Sequence, residues 1–290
     1  MDSGNGHYPG GYDQYPGQSL FGRLVWGKDS HHLRRARHAH HPSCWQCHSL
    51  PFWLYTPLLV KAAFTMPYEN HDQMQTILNV LVGSQAHGLA TEESDRDFRR
   101  VYVMPTKQMF RLGFKYPATQ WTKGEGDETA WEVGQFLMLA TQCHPLALET
   151  LLAPIVTADQ WGNHLRALFP AIWSPAQAFE AFTNYARNQR TKFLDKKDER
   201  PAKYAAAYIR VLDNLRELLE TGTFTVQISS TALGATLLQI KNGEMGMGHV
   251  VDLGEDLLQQ CRQHLRHCTH TPDHKLVQDF LTTLRKAFLL

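Results

Sequence analysis

The sequence predicts an α+β fold, a small mixed β-sheet with flanking helices followed by a mainly helical domain. Three observations carry this. Apolar, β-branched runs of strand length cluster between residues 77 and 104. Almost everything after residue 132 keeps apolar residues at three- and four-residue spacing. From residue 66 onward, glycines and prolines fall between these runs.

Residues 1–65 differ in character. They hold Gly/Tyr/Pro tracts, a His/Arg run (HHLRRARHAHH) and an apolar patch, and keep no helix or strand period for long. They read as a poorly ordered extension, with Met66 as a candidate start codon. A first helix is expected over 66–76, then a buried strand over 77–82 that stops at Gly83. A short helical turn (84–90) and a polar loop (91–94) lead to a second strand over 95–104. Phe98, Val101, Tyr102 and Val103 give that strand its apolar character, and Pro105 ends it. A third strand is expected around Asp127, within 120–131. Helices follow over 132–152, 175–194, 201–221, 231–241, 248–267 and 274–289, with Gly222, Gly243 and Pro272 as breakers. The expected organisation is an extension (1–65), a small α/β domain (66–135) and a helical domain (136–290) covering its cleft.

Composition narrows the functional classes. The chain has 29 Lys+Arg against 28 Asp+Glu, a net charge of +1, which excludes a strongly basic nucleic-acid coat. Any contact with a polyanion must be local. Five cysteines make no disulfide framework and suit a reducing compartment. The most apolar stretch, 50–64, is broken by Pro51, Pro57 and Lys61 and falls short of the roughly 20 residues of a bilayer helix. With a polar start and no secretory signal, the protein reads as soluble and cytoplasmic. Cys44, Cys47 and His48 form a C-x-x-C-H motif, the pattern of haem attachment or half a zinc site. Without an export signal, and with only His38, His40 and His41 as loose further ligands, a basic His-rich tail is the simpler reading.

The chemistry lies in VLVGSQAHGLATEESDRDFRRVYVM, residues 80–104. A buried strand ends in Gly83-Ser84 and a helical turn begins at once, so free amides and a hydroxyl favour a phosphate there. About eleven residues after Ser84, Asp95 and Asp97 stand two apart, and strand alternation would point both carboxylates to one face. Such a pair calls for a cation, and magnesium shared with substrate phosphates is the natural one.

This stretch resembles the DNA polymerase β-type nucleotidyltransferase superfamily, whose signature is G-S, a short helix, then D-x-D. The string GSQAHGLATEESDRDFRRVYVMP is similar to one branch, the predicted bacterial and phage nucleotidyltransferases linked to RNA repair. The likeness continues where Asp127 precedes a helix and His144-Pro145-Leu146-Ala147-Leu148-Glu149-Thr150-Leu151 stands for the branch's N-P-x-x-x-E-x-L, with His144 in place of Asn. Lys203 and Arg210 match a K-x-x-x-H-x-x-R helix, with Ala207 at the His position. LLETGTF, IKNGEM and the closing PDHKLVQDFLTTLRKAF look like the family's tail, so the likeness covers 66–290.

The resemblance implies a polymerase β-like fold and transfer of a nucleoside monophosphate from a triphosphate such as ATP to a hydroxyl, with release of pyrophosphate. It implies two Mg2+ ions, with Mn2+ as the alternative, held by Asp95, Asp97 and Asp127, the last assisting the acceptor. Gly83, Ser84, Lys203 and Arg210 would bind the nucleotide. An RNA end is the suggested acceptor, a small molecule or a protein side chain the alternative, and a silent nucleotide- or RNA-binding protein the non-enzymatic reading. Several residues keep two readings. Asp127 is the third carboxylate or a loop acid, with Glu128 and Glu132 as rivals. His87 faces the nucleotide or packs in its helix. Glu149 is a base or, the favoured reading, holds the domains together. Arg99 shares the face of Asp97 and can meet phosphate, and Arg100 follows it. Cys143, Cys261 and Cys268 lack metal-ligand spacing, and His264, His267 and His270 are expected at the surface.

Overall fold

The structure, a computed structural model, describes residues 74–123, 126–195 and 200–289. The extension, the C-x-x-C-H motif, the apolar stretch 50–64 and most of the helix expected over 66–76 lie outside the described residues. Where the last of these can be compared, the expectation fails. Gln75 and Thr76 are extended and open strand β1 (Gln75–Val82), because they pair with Val103 and Tyr102 of strand β2 (Asp97–Val103). Pairing with a neighbouring strand outweighs the weak local helix propensity.

Between these strands a short helix α1 (Gly83–His87) and a loop turn the chain back. The expected third strand is two strands, β3 (Gln120–Thr122) and β4 (Glu128–Glu132), antiparallel to each other. Strand β5 (Ile155–Ala158) was not foreseen; at four residues and largely exposed, it carries no alternating pattern to read. The five strands run in the order β3-β4-β2-β1-β5, with β2 and β4 parallel and the other pairs antiparallel, a mixed sheet as expected.

The helix expected over 132–152 is broken in two, α2 (Val133–Thr141) and α3 (Pro145–Leu152). Pro145 has no N–H to continue the first helix, so it starts a new one at its first turn, and Cys143 makes the corner in a left-handed conformation (φ 56°). Helices α4 (Gln160–Ala167) and α5 (Phe169–Ile172) fill a stretch the periodicity left unassigned. Asp159 caps α4 by accepting from the Gly162 amide at 2.8 Å. The remaining helices stand close to expectation: α6 (Pro175–Asp195), α7 (Pro201–Thr221), α8 (Ala232–Lys241), α9 (Met247–His267) and α10 (His274–Ala287). One apolar core runs from Val80, Val101 and Trp131 in the sheet through Phe136 and Leu148 to Trp173, Phe182, Ile209 and Leu212 in the helices. No helix among the described residues is long and apolar enough to cross a membrane.

The end of α10 is locked onto the sheet. Arg285 donates to both oxygens of Glu132 at 2.7 and 2.8 Å, and Glu132, 0% exposed, also caps α2 through the Gly134 amide at 2.7 Å. The Thr106 amide and hydroxyl donate to the Phe288 and Arg285 carbonyls. Removing Arg285 leaves a buried carboxylate without its counter-charge. We expect Arg285→Ala to cost about 3–5 kcal/mol in chemical denaturation. Lys275→Ala, which breaks a fully exposed pair on the same helix, is the control and should leave the midpoint where it is.

Candidate active site

The site grows from the register of the central strands. Val82, the last residue of β1, lies opposite Asp97, the first of β2. The next residue, Gly83, turns the chain into α1 with φ +69°. A Cβ built on Gly83 would lie 2.5 Å from Oδ2 of Asp97, so the bare glycine leaves the room this carboxylate occupies. The glycine-serine corner and Asp97 therefore border the same space.

Asp127 comes next to Asp97 through its backbone. The parallel pairing of β2 and β4 sets Phe98 beside Glu128, and just before it the Asp127 carbonyl accepts from the Phe98 amide at 2.9 Å while the Asp127 amide reaches Oδ1 of Asp97 at 3.4 Å. Gly126 makes this approach feasible, since a side chain there would overlap the Arg96 carbonyl. Neither rival stands beside Asp97. Glu128 pairs with Arg100 at 2.9 Å and falls on the sheet face opposite Asp97, and Glu132 is consumed by Arg285. Asp95 departs from expectation: β2 begins at Asp97, so strand alternation does not orient Asp95, which stands exposed in the preceding loop. Among the described residues, no three His, Cys, Asp or Glu side chains gather tightly enough to hold a metal ion.

Beneath the corner lies a buried polar cluster. Oε1 of Glu149 on α3 accepts from Nε2 of His87 (2.9 Å) and Nη1 of Arg210 (2.6 Å), and Oε2 accepts from Nη1 of Arg99 (2.6 Å). Arg99 also donates to the Leu146 carbonyl at 3.0 Å. Burial alone would raise the Glu149 pKa, but Arg210, then Arg99 and the His87 hydrogen bond, hold it well below the ordinary carboxylate value. Burial, reinforced by Arg210, depresses the His87 pKa despite the neighbouring carboxylate, so His87 donates as a neutral ring with its proton on Nε2. Two guanidinium groups and one carboxylate leave this cluster with a single net positive charge.

His87 thus packs inward, Glu149 joins elements as expected, and Arg99, although on the face of Asp97, is committed to Glu149. Arg210 has a partner that its helical spacing did not reveal. Lys203 is exposed on α7 and lies near Lys241, whose Nζ donates to the Leu89 carbonyl just beyond α1 at 2.6 Å. That contact of Lys241 was not foreseen, since a single lysine at a helix end, in IKNGEM, carries no signal. His144 makes no side-chain cap for α3 and instead packs edge-on against Tyr185. Cys143 and Cys261 are buried, and burial pushes the Cys261 thiol up to about 12, which makes it inert. His270 is not a free surface side chain, since its ring stacks on Trp173 at 3.9 Å.

A sequence model of the RNA repair pathway DNA polymerase beta family matches residues 62–282. No curated protein matches the chain at a significant level. Among solved structures, the chain is similar to a nucleotidyltransferase-like protein from Exiguobacterium sibiricum, at 8% identity over 67% of this chain and 69% of that one, with a TM-score of 0.26. A likeness that distant carries no argument.

The cluster predicts an acid-sensitive fold. His87 binds its proton more readily unfolded, so its contribution to stability declines as the pH falls below its ordinary 6.5. Glu149, depressed in the fold, contributes fully above its ordinary 4.5 and loses that contribution on further acidification. Thermal melts followed by circular dichroism should show the wild-type midpoint falling between pH 7 and pH 5, and a shallower fall in His87→Gln. Parallel slopes would exclude His87 as a source of the pH dependence.

Proposed function

The chain belongs to the RNA repair pathway DNA polymerase beta family, and on that footing we propose that it is a metal-dependent nucleotidyltransferase. It moves a nucleoside monophosphate from a nucleoside triphosphate to a hydroxyl, with an RNA end as acceptor and pyrophosphate as the second product. One observation carries this reading: the carboxylate of Asp97 lies against the glycine that opens the phosphate-binding corner.

Each residue then has a task. The amides of Gly83 and Ser84 and the Ser84 hydroxyl take the triphosphate. Lys203 and Lys241 add positive charge beside α1, and the net charge of the cluster around Glu149 acts on the triphosphate from below. Arg210 serves through that cluster. Asp127 accepts the proton of the acceptor hydroxyl. The acceptor oxygen bonds to the α-phosphorus as the bond to the bridging oxygen breaks, and the electron pair leaves with pyrophosphate. The donor chemistry of Asp97 and Asp127, with Asp95 in the loop before β2, is that of a hard-cation site, and the three carboxylates would have to converge to hold one. Magnesium, or manganese in its place, would be held there and, when bound, neutralises the triphosphate and makes the acceptor hydroxyl more acidic.

The second reading is a protein that binds nucleotide without turnover. The position of Asp95, exposed and outside the strand, favours it. The two separate in one assay, in which the protein is incubated with magnesium and each α-labelled triphosphate, with RNA, small-molecule or protein acceptors. We expect label transfer by wild type, and a loss of more than a hundredfold in Asp97→Asn, beyond the 10- to 100-fold typical of an outer-shell partner. Gly83→Ala should lose as much, because its Cβ and its positive φ both disturb the corner. Triphosphate bound but never transferred would leave the binder.

A further inference from the structure

Residues 105–123, from the end of β2 through β3, carry Lys107, Arg111, Lys115 and Lys123 and no carboxylate, in a chain whose charges otherwise nearly cancel. All four cations are exposed. Between them stand large apolar side chains turned to solvent: Phe110 is 74% exposed, Leu112 106% and Trp121 63%. Cations interleaved with open aromatic faces are what a single-stranded polynucleotide needs, since charge follows the phosphates and each base stacks whatever its identity.

The segment is held in place. At its start, Thr106 donates to the Arg285 and Phe288 carbonyls. In its middle, the Tyr116 ring presses on Gly134, which has no room for a Cβ, and meets Phe114 edge-on at 5.4 Å. At its end, Gln120 donates to the Tyr102 hydroxyl at 3.2 Å and β3 pairs with β4. Ordering it on binding therefore costs little.

Its direction points to an occupant. Trp121 lies opposite Thr129, which pairs with Arg99, so Trp121 shares the sheet face of Asp97. Strand β3 runs toward the site end of the sheet. Thr122 pairs with Glu128, the residue after Asp127, and Lys123 follows Thr122 in the chain. The order along this edge is Tyr116, Trp121, Lys123, Asp127.

We propose that this edge docks the unpaired end of the RNA acceptor, with Trp121 stacking a base and the cations holding the backbone, so that the terminal hydroxyl arrives at Asp127. The inference rests on the nucleotidyltransferase reading and names where its acceptor lies. A second copy of the chain is a poorer occupant, because two-fold pairing would set four cations against the same four.

The test uses the full chain and a short fluorescein-labelled RNA in fluorescence anisotropy, with DNA of the same sequence and duplex RNA as further arms. Trp121→Ala should weaken single-stranded RNA binding by roughly 5- to 150-fold, and Arg111→Glu with Lys115→Glu should flatten the salt dependence. Affinity for a non-hydrolysable triphosphate should not change in either variant. RNA affinity indifferent to all three substitutions, or no RNA binding by wild type, overturns the proposal. So does DNA or duplex bound as tightly as single-stranded RNA, or light scattering that shows a wild-type dimer dissociated by Trp121→Ala. If RNA binding depends on Trp121 but no triphosphate is bound or transferred, the docking edge stands and the nucleotidyltransferase reading falls.

Discussion

A single buried carboxylate, Glu149, holds four elements together under the glycine-serine corner. It receives α1 through His87, β2 through Arg99 and α7 through Arg210, and itself belongs to α3. A lone buried carboxylate would cost several kcal/mol; two guanidinium groups and an imidazole offset that cost only when all four elements are in register. Stability and site geometry are therefore one problem here. The His87 ring fixes the end of α1, and the other end of α1 is Gly83, against which Asp97 lies. With the imidazole neutral, the two guanidinium groups outnumber the one carboxylate, and the cluster keeps a single surplus positive charge.

The sequence made the glycine-serine corner legible because its signal is local. A β-branched run that stops at Gly-Ser needs no distant partner to be read, and β1 and β2 formed close to where their patterns lie. The ambiguity among Asp127, Glu128 and Glu132 was not local. Asp127 is set apart by a parallel pairing of strands 30 residues apart, and Glu132 is withdrawn by Arg285, 153 residues away. No spacing rule reports such contacts. Asp95 shows a subtler failure. Alternation is a sound rule inside a strand, but β2 starts two residues later than its pattern suggests, and the rule does not extend into a loop.

The helices tell the same story from the other side. Their 3.6-residue period gave α6 to α10 almost residue by residue, since each buries a continuous apolar stripe. The period also ran across Pro145 and merged α2 with α3, because the apolar stripe persists through a corner whose geometry depends on Cys143 and the missing proline amide. Arg210 was placed on the correct helix, but which face of α7 meets α3 is a property of packing. Short edge elements such as β5 bury too little to leave a pattern at all.

Net charge deserves less weight than it first receives. A value of +1 excludes a basic coat, yet charges beyond the Debye length, about 8 Å in physiological salt, hardly sense each other. Helix α7 has 21 residues and so spans about 30 Å. Lys203 and Arg210 lie in its first half, while Asp213, Glu217 and Glu220 lie in its second, two of them paired with Arg216. Lys203 stands about 15 Å along the helix axis from Asp213, well beyond that Debye length, whereas Arg210 is already paired with Glu149. Along the β3 edge, Arg111, Lys115 and Lys123 are exposed in a stretch of sequence that holds no carboxylate. A chain neutral in total can thus present two separate positive surfaces, one at Lys203 and Lys241 beside the corner and one along β3, and the proposed transfer between a triphosphate and a polynucleotide would use both.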